Sequence, residues 1–113
     1  MKHFHNSTVT VMISDMDKAV AFYTETLGFE LRKRYGEHYA EIQAPGLLIG
    51  LHPSEREVNV GDNMSMGFGT KDIDSAVAYL QTKGIQLSVK QDGLVRIANF
   101  TDPDMNPLYV IEI

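Results

Sequence analysis

The chain contains no cysteine, which excludes disulfide bonds and thiolate chemistry. It also has no apolar run approaching the roughly 18 to 20 residues that a membrane-spanning helix requires. Residues 1 to 6 lack the apolar core of a signal peptide. We therefore predict a cytoplasmic protein without a membrane partner.

Basic residues are few as well, since 10 Lys and Arg stand against 15 Asp and Glu, for a net charge of -5. Proteins that bind nucleic acid rely on clustered Lys and Arg, so nucleic acid is not an expected partner. Gly61, Gly67 and Gly69 do not form a phosphate-binding fingerprint, and the sequence has no compact metal motif such as HExxH.

The most informative feature present is an internal repeat. Residues 14–23 (SDMDKAVAFY) recur as residues 71–80 (KDIDSAVAYL), with a spacing of 57 residues from Asp15 to Asp72. The spacing is 56 residues from Gly28 to Gly84, which indicates a one-residue difference near the helix end. Two copies are too few for a solenoid, so the repeat predicts two half-modules that share one core.

A chain of 113 residues suits one compact domain. We predict a first module over residues 1–53, a polar linker over 54–63 and a second module over 64–113. In each module a strand precedes a helix that starts at a capping Asp and ends at a Gly. The predicted strands cover residues 7–14, 29–35, 37–44, 46–52, 64–70, 85–91, 94–101 and 107–113.

The fold class predicted from this order is α+β, with two βαβββ modules. One face of each sheet is apolar and suits the helix. The other face of the two first strands is small and mildly polar, which leaves room for a ligand, although the glycines could instead allow close backbone approach. The residues predicted on that face are Thr8, Thr10, Met12, Ser65, Gly67 and Gly69.

The repeated helix start, the Leu27-Gly28-Phe29 ending and the turn from Asp102 to Leu108 resemble the vicinal oxygen chelate superfamily. This superfamily includes glyoxalase I, bleomycin resistance proteins, fosfomycin resistance enzymes and extradiol dioxygenases. The resemblance covers essentially the whole chain. It implies an open barrel of curved mixed sheet around a cavity, and a homodimer.

The resemblance does not carry over a metal site. In metal-dependent members a His, Gln or Glu on the first strand of each module faces the cavity, and a carboxylate follows the Asp-Pro-Asp turn. The matching residues here are Thr8, Ser65 and Tyr109, whose neutral hydroxyls are poor donors for a transition metal. A further ligand normally comes from the strand at residues 47–52, where only His52 has a donor. We therefore predict neither a metal nor another cofactor.

The other histidines have two interpretations each. His3 and His5 could chelate a metal together, but a solvated terminal pair is the commoner arrangement. His38 could face the cavity as an acid or base, or lie in solvent at a strand edge. His52 could border the pocket or simply end its strand.

Several other side chains are candidates for binding. Arg96 could hold an anionic group or reach solvent, and Glu41 is expected to be exposed rather than in the cavity. Tyr109 and Phe100 could stack on a ligand or fill the cavity. The paired acids at the two helix starts are predicted to cap helices rather than to catalyse.

The sequence favours a protein that binds a small, largely apolar organic molecule in a metal-free cavity, as in the bleomycin-resistance branch. The predicted ligand-binding residues are Thr8, Thr10, Met12, His38, His52, Ser65, Gly67, Arg96, Phe100 and Tyr109. One alternative is a glyoxalase-like lyase, isomerase or dioxygenase with metal ligands at His38, Glu41 and His52. Another is a partner-binding domain whose cavity has collapsed. The sequence leaves open whether any reaction is catalysed and whether the modules pair within or between chains.

Overall fold

The computed structural model describes residues 7–54 and 64–113. The chain divides into two compact units, residues 1–58 and 59–113, with a boundary inside the predicted linker. Most of that linker lies outside the described residues, as do His3 and His5. None of the helices in the described part is long and apolar enough to cross a membrane.

The first unit has one helix and one four-stranded sheet. Its elements are β1 (Val9–Ile13), α1 (Met16–Ala21), a π-helical segment (Phe22–Thr26), β2 (Glu30–Tyr35), β3 (Tyr39–Ala44) and β4 (Leu47–Pro53). The strand order is β1-β4-β3-β2, with β1 parallel to β4 and the other pairs antiparallel.

The second unit repeats this arrangement. Its elements are β5 (Met66–Thr70), α2 (Ile73–Thr82), β6 (Lys90–Asp92), β7 (Val95–Thr101) and β8 (Pro107–Glu112). The strand order is β5-β8-β7-β6, again with one parallel pair, β5 and β8. The predicted α+β class is confirmed as two four-stranded mixed sheets with a helix each, and neither sheet closes on itself.

Each sheet packs one face against its own helix. Val11 and Ile13 alternate with exposed neighbours along β1, and both are buried. Ile49 and Leu51 on β4 are fully buried, as are Met16 and Ala19 on α1. Burial of such side chains stabilises each by about 1.5 to 3 kcal/mol relative to exposure, so the strand alternation fixes which face meets the helix.

The predicted strand at residues 85–91 is wrong in extent. Only Lys90–Asp92 pairs with β7, and residues 85–89 form no regular structure. Ile85, Leu87 and Val89 are half-buried and alternate with exposed residues. The alternating pattern therefore indicates which side chains are buried. It does not indicate whether the backbone of these residues forms hydrogen bonds with a neighbouring strand.

The two helices end with equivalent hydrogen bonds, but the bond in the first unit spans one more residue. In α2 the amide of Ile85 donates to the carbonyl of Leu80 and that of Gly84 to Gln81, a Schellman motif with Gly84 at φ 86°. The equivalent bond in the first unit runs from the amide of Phe29 to the carbonyl of Tyr23, across one more residue. The π-helical segment absorbs this residue, which explains the change of spacing in the repeat.

The first acid of each repeated pair caps its helix, as predicted. Asp15 accepts a hydrogen bond from the Lys18 amide and Asp72 from the Ser75 amide, both at 3.1 Å. These bonds satisfy amides that have no partner within the helix.

The second acid of each pair connects its helix to a strand. Asp17 binds Arg34 on β2 at 2.7 Å, and Asp74 binds Arg96 on β7 at 2.6 Å. The sequence predicted only a helix-end role for these acids, because the partner arginines are remote in the chain.

The cap of α2 predicts that the stability of the protein depends on pH. Hydrogen bonds from the hydroxyl and then the amide of Ser75 hold the pKa of Asp72 below its ordinary value of 3.8. A carboxyl with a lowered pKa contributes stability above its ordinary pKa, and loses it as the pH falls through the folded-state pKa. Asp72→Ala should therefore lower the melting temperature at pH 7, and the gap to the parent should narrow as the pH is lowered from 4 to 3.

The control for this measurement is Asp72→Asn, which keeps an acceptor for the Ser75 amide without the charge. It should lose less stability than Asp72→Ala at pH 7. A gap between Asp72→Ala and the parent that stays constant from pH 7 to pH 3 would contradict the role of the ionised carboxylate.

Candidate functional site

The face of each sheet that lies away from its helix, called here the helix-free face, carries most of the candidate site residues. In the first unit Gly50 on β4 pairs with Thr10 on β1 and with Glu41 on β3, so these residues form one row across the sheet. Tyr39 lies on β3 two residues before Glu41 and has the same orientation. The row consists of a threonine with its hydroxyl, a glycine and a glutamate with its carboxylate.

The missing side chain at Gly50 leaves space that Tyr39 and Thr10 use. A Cβ on Gly50 would lie 2.7 Å from the Tyr39 hydroxyl and 3.2 Å from the Thr10 Oγ1. The first distance is too short for a real contact, so the tyrosine reaches over Gly50 only because that residue has no side chain. Both hydroxyls are thereby brought next to the centre of the sheet.

Glu41 is much less exposed than the sequence suggested. Its side chain is 12% exposed, so the expectation of an exposed carboxylate is wrong. The Tyr39 hydroxyl donates to its Oε2 at 3.5 Å, and Nη1 of Arg32 lies 3.9 Å from its Oε1. Burial, followed by the negative charge of Glu41, raises the pKa of Tyr39 above its ordinary value, which keeps this hydroxyl protonated.

In the second unit a similar arrangement uses different residues. Gly67 on β5 pairs with Tyr109 on β8, which pairs with Asn99 on β7. A Cβ on Gly67 would overlap the Tyr109 ring and lie 2.5 Å from its hydroxyl. The ring therefore lies across the glycine, on the helix-free face.

A cleft of about 470 Å³ opens next to this tyrosine, where β5 and β8 begin and β7 ends. This volume is within the usual range for small-molecule sites, about 300 to 1,000 Å³. Apolar side chains predominate in it, with a serine hydroxyl and an asparagine amide among them. The lining residues are Met64, Ser65, Asn99, Phe100, Thr101, Pro107 and Leu108.

The predicted site residues of the first unit do not all lie on the helix-free face. Thr8 is exposed just before β1, while Thr10 and Met12 lie on its helix-free face. His52 pairs with Met12 across the sheet, and its Nδ1 donates to the Pro53 carbonyl at 2.8 Å. His38 lies in the exposed turn between β2 and β3, not on a strand as predicted.

The predicted residues of the second unit separate into two groups. Ser65 and Phe100 line the cleft, and Gly67 and Tyr109 form the glycine and tyrosine pair beside it. Arg96 instead pairs with Asp74 on α2 and, at 3.9 Å, with Glu112. A guanidinium already paired with two carboxylates is a poor anchor for an anionic ligand group, so this geometry does not support the predicted binding role of Arg96, which stays a prediction.

The donor set does not fit a divalent transition metal. Thr8, Ser65 and Tyr109, at the positions that the resemblance assigns to ligands, offer neutral hydroxyls. Within residues 7–54 and 64–113 no three His, Asp or Glu side chains gather as a metal-binding group. His38, Glu41 and His52 are among these residues, so they do not form the alternative site considered from the sequence.

Sequence reasoning missed three residues of these faces: Tyr39, Gly50 and Asn99. Gly50 could be found only from its pairing with Thr10 and Glu41, because a glycine within an apolar strand gives no chemical signal. Tyr39 could have been found, since it has the same strand parity as Glu41.

The comparisons with known proteins agree with this architecture. The family model of the Glyoxalase/Bleomycin resistance protein/Dioxygenase superfamily matches residues 5–110. The chain belongs to this superfamily, and the resemblance drawn from the sequence is confirmed.

Two relatives illustrate the range within the superfamily. The Bacillus subtilis protein YwkD is 28% identical, covering 99% of this chain and 98% of its own. A lactoylglutathione lyase of Schizosaccharomyces pombe is also 28% identical, but the match covers 83% of this chain and only 42% of the lyase.

Solved structures share the fold at low identity. A glyoxalase family protein from Enterococcus faecalis has a TM-score of 0.82 at 20% identity, covering 99% of this chain and 100% of its own. The fosfomycin resistance protein of Listeria monocytogenes has a TM-score of 0.78 at 15% identity, covering 99% and 93%. At such identities the likeness establishes the fold and not the activity.

Proposed function

We propose that this chain binds a small, largely apolar organic molecule in its second unit, without a metal ion at the positions used by metal-dependent members of its superfamily. The observation that carries the proposal is the cleft of about 470 Å³ beside Tyr109, lined mainly by apolar side chains. Burial of apolar ligand surface there would contribute about 25 cal/mol per Å².

The polar groups near the cleft support recognition rather than catalysis. The Ser65 hydroxyl and the Asn99 amide can each orient a ligand by a hydrogen bond, and the Tyr109 ring offers a flat surface for stacking. A serine hydroxyl and an asparagine amide are neutral donors and acceptors rather than general acids or bases. The proposal therefore assigns no chemical step to them.

Binding can be tested with a panel of aromatic antibiotics and metabolites in a thermal-shift assay, followed by calorimetry on any compound that raises the melting temperature. Ser65→Phe should fill part of the cleft and abolish the shift produced by such a compound. Leu94→Phe, at a fully exposed position of the β6–β7 turn, adds the same ring elsewhere and should leave the shift unchanged.

Metal analysis of protein purified without chelator tests the alternative, a metal-dependent enzyme. Near-stoichiometric metal, together with marked stabilisation by divalent ions, would overturn the proposal in favour of a metal-dependent enzyme. The homodimer that the resemblance implies is a further proposal, which light scattering would test on the same sample.

A further inference from the structure

A second cleft, of about 480 Å³, lies in the same unit as the cleft beside Tyr109. Asn99 lines both of them, so the two clefts adjoin at this side chain. The cleft beside Tyr109 is called here the apolar cleft, and the second one the polar cleft. The residues that line the polar cleft are Gln86, Leu87, Ser88, Lys90 and Asn99.

The polar cleft lies where the second unit lacks the full edge strand of the first. In the first unit β2 pairs with β3 over the range Glu30–Tyr35, whereas in the second unit only Lys90–Asp92 pairs with β7. Residues 85–89 lie outside this ladder, and the amides of residues 86–88 donate to no backbone carbonyl of the described residues. Backbone groups that a sheet leaves unpaired need another partner, which is either water or a ligand.

The charge of the polar cleft is positive, although the chain as a whole is acidic. Lys90 is the one ionisable residue among the described residues that line the two clefts, while Asp and Glu outnumber Lys and Arg by 15 to 10 in the chain. Lys90 pairs with Ile97 on β7, which places its side chain on the same sheet face as Asn99. Within the described part of the chain Lys90 forms no ion pair, not even with Asp92 on the same strand. Its charge is therefore available to a ligand.

We propose that the ligand of this protein is an organic acid, which places its apolar body in the apolar cleft and its carboxylate in the polar cleft. This inference rests on the proposed function and specifies the class of ligand. Lys90 supplies the positive charge, and the side-chain amide of Asn99 supplies a donor where the clefts adjoin. A carboxylate accepts about four hydrogen bonds, so it suits a lining of ammonium, hydroxyl and amide groups. A ligand ammonium group would instead meet the like charge of Lys90.

The test uses three probes with one apolar body: 3-phenylpropionate, 3-phenylpropan-1-ol and 3-phenylpropylamine, measured by calorimetry at pH 7 and low salt. The acid should bind about threefold more tightly than the alcohol, the size of effect expected from a solvent-exposed charge pair. The amine should bind most weakly. Salt at about 1 M should reduce the difference between acid and alcohol, because it screens exposed charges. The pair 6-phenylhexanoate and 6-phenylhexan-1-ol repeats the comparison with a longer chain between ring and carboxylate.

Variants identify the groups responsible. Lys90→Gln should remove the preference for the acid and leave binding of the alcohol unchanged. Lys71→Gln is the matched control, because it makes the same change of charge at an exposed residue that lines neither cleft, and it should leave both affinities unchanged. Ser65→Phe should weaken the acid and the alcohol alike, since both place their ring in the apolar cleft. Acid binding that survives Ser65→Phe would contradict a single ligand that occupies both clefts.

The outcomes separate this inference from the proposed function. Equal binding of acid and alcohol at both chain lengths, tighter binding of the amine, or a preference for the acid that persists in Lys90→Gln would overturn the acid site and leave small-molecule binding intact. If only a compound of the antibiotic and metabolite panel binds, an affinity unchanged by Lys90→Gln would likewise overturn the acid site alone. No binding by any probe or panel compound would overturn both proposals. The comparison of probes on the unaltered protein decides the matter even if a variant does not fold.

Discussion

Replacing Gly67 with alanine should displace the Tyr109 ring and destabilise the protein by about 1 kcal/mol, near the lower end of the cost of overpacking, because Gly67 is exposed and Tyr109 is half-buried. The physical reason is the overlap between a Cβ at this position and the ring, which crosses the strand because Gly67 has no side chain. Urea denaturation followed by circular dichroism would measure the loss. The same variant should weaken any ligand that stacks on Tyr109.

Two further variants make this prediction specific. Gly69→Ala lies on the same strand and face, but its Cβ would meet the exposed side chain of Ile113, at 3.1 Å from Cγ2. It should therefore destabilise clearly less than Gly67→Ala. In a double-mutant cycle, Tyr109→Ala should remove most of the penalty of Gly67→Ala, because no ring remains to collide. Additive effects of the two substitutions would show that the ring is not the cause.

The second large effect is expected at Asp102, which is buried with 3% of its surface exposed. Its Oδ1 accepts from the amides of Asp104 and Asn106 at 2.9 Å, and its Oδ2 accepts from the Asn106 side chain at 2.8 Å. These bonds hold the turn that leads into β8, where Met105 has a positive φ of 67°. The aspartate thus compensates for an unfavourable backbone conformation of a non-glycine residue.

Asp102→Ala should destabilise the protein by about 2 to 4 kcal/mol, because each buried donor left without an acceptor costs about 1 to 3 kcal/mol. Asp102→Asn keeps one acceptor oxygen and should lose less. Asp92→Ala, at an exposed end of β6, is the control and should stay within about 0.5 kcal/mol of the parent. A loss at Asp102 no larger than at Asp92 would contradict the assigned role.

Much of the fold could be predicted from the sequence because local signals agreed with one another. The repeated Asp-x-Asp starts, the glycines at the helix ends and the alternation in β1 and β5 located both helices and most strands correctly. The strand over residues 85–91 was predicted too long. Ile85, Leu87 and Val89 alternate with polar residues as they would in a strand, but residues 85–89 do not pair with β7. Local patterns contain no information about which backbone groups pair.

The candidate site was less predictable for the same reason. Tyr109 was singled out from its place after the Asp-Pro-Asp turn, but its contact with Gly67 depends on the register between β5 and β8. Glu41 was expected in solvent because most glutamates are exposed. Only the pairing of β3 with β4 places its carboxylate beside Gly50 and the two hydroxyls.

The π-helical segment at Phe22–Thr26 shows where this fold can accept an additional residue. An extra residue in a strand would turn every following side chain to the opposite face, whereas a widened helical turn confines the change to a few amides. The two halves therefore differ in length at this point while their strands keep equivalent registers. An insertion at this turn should accordingly disturb the fold less than an insertion within any strand of either sheet.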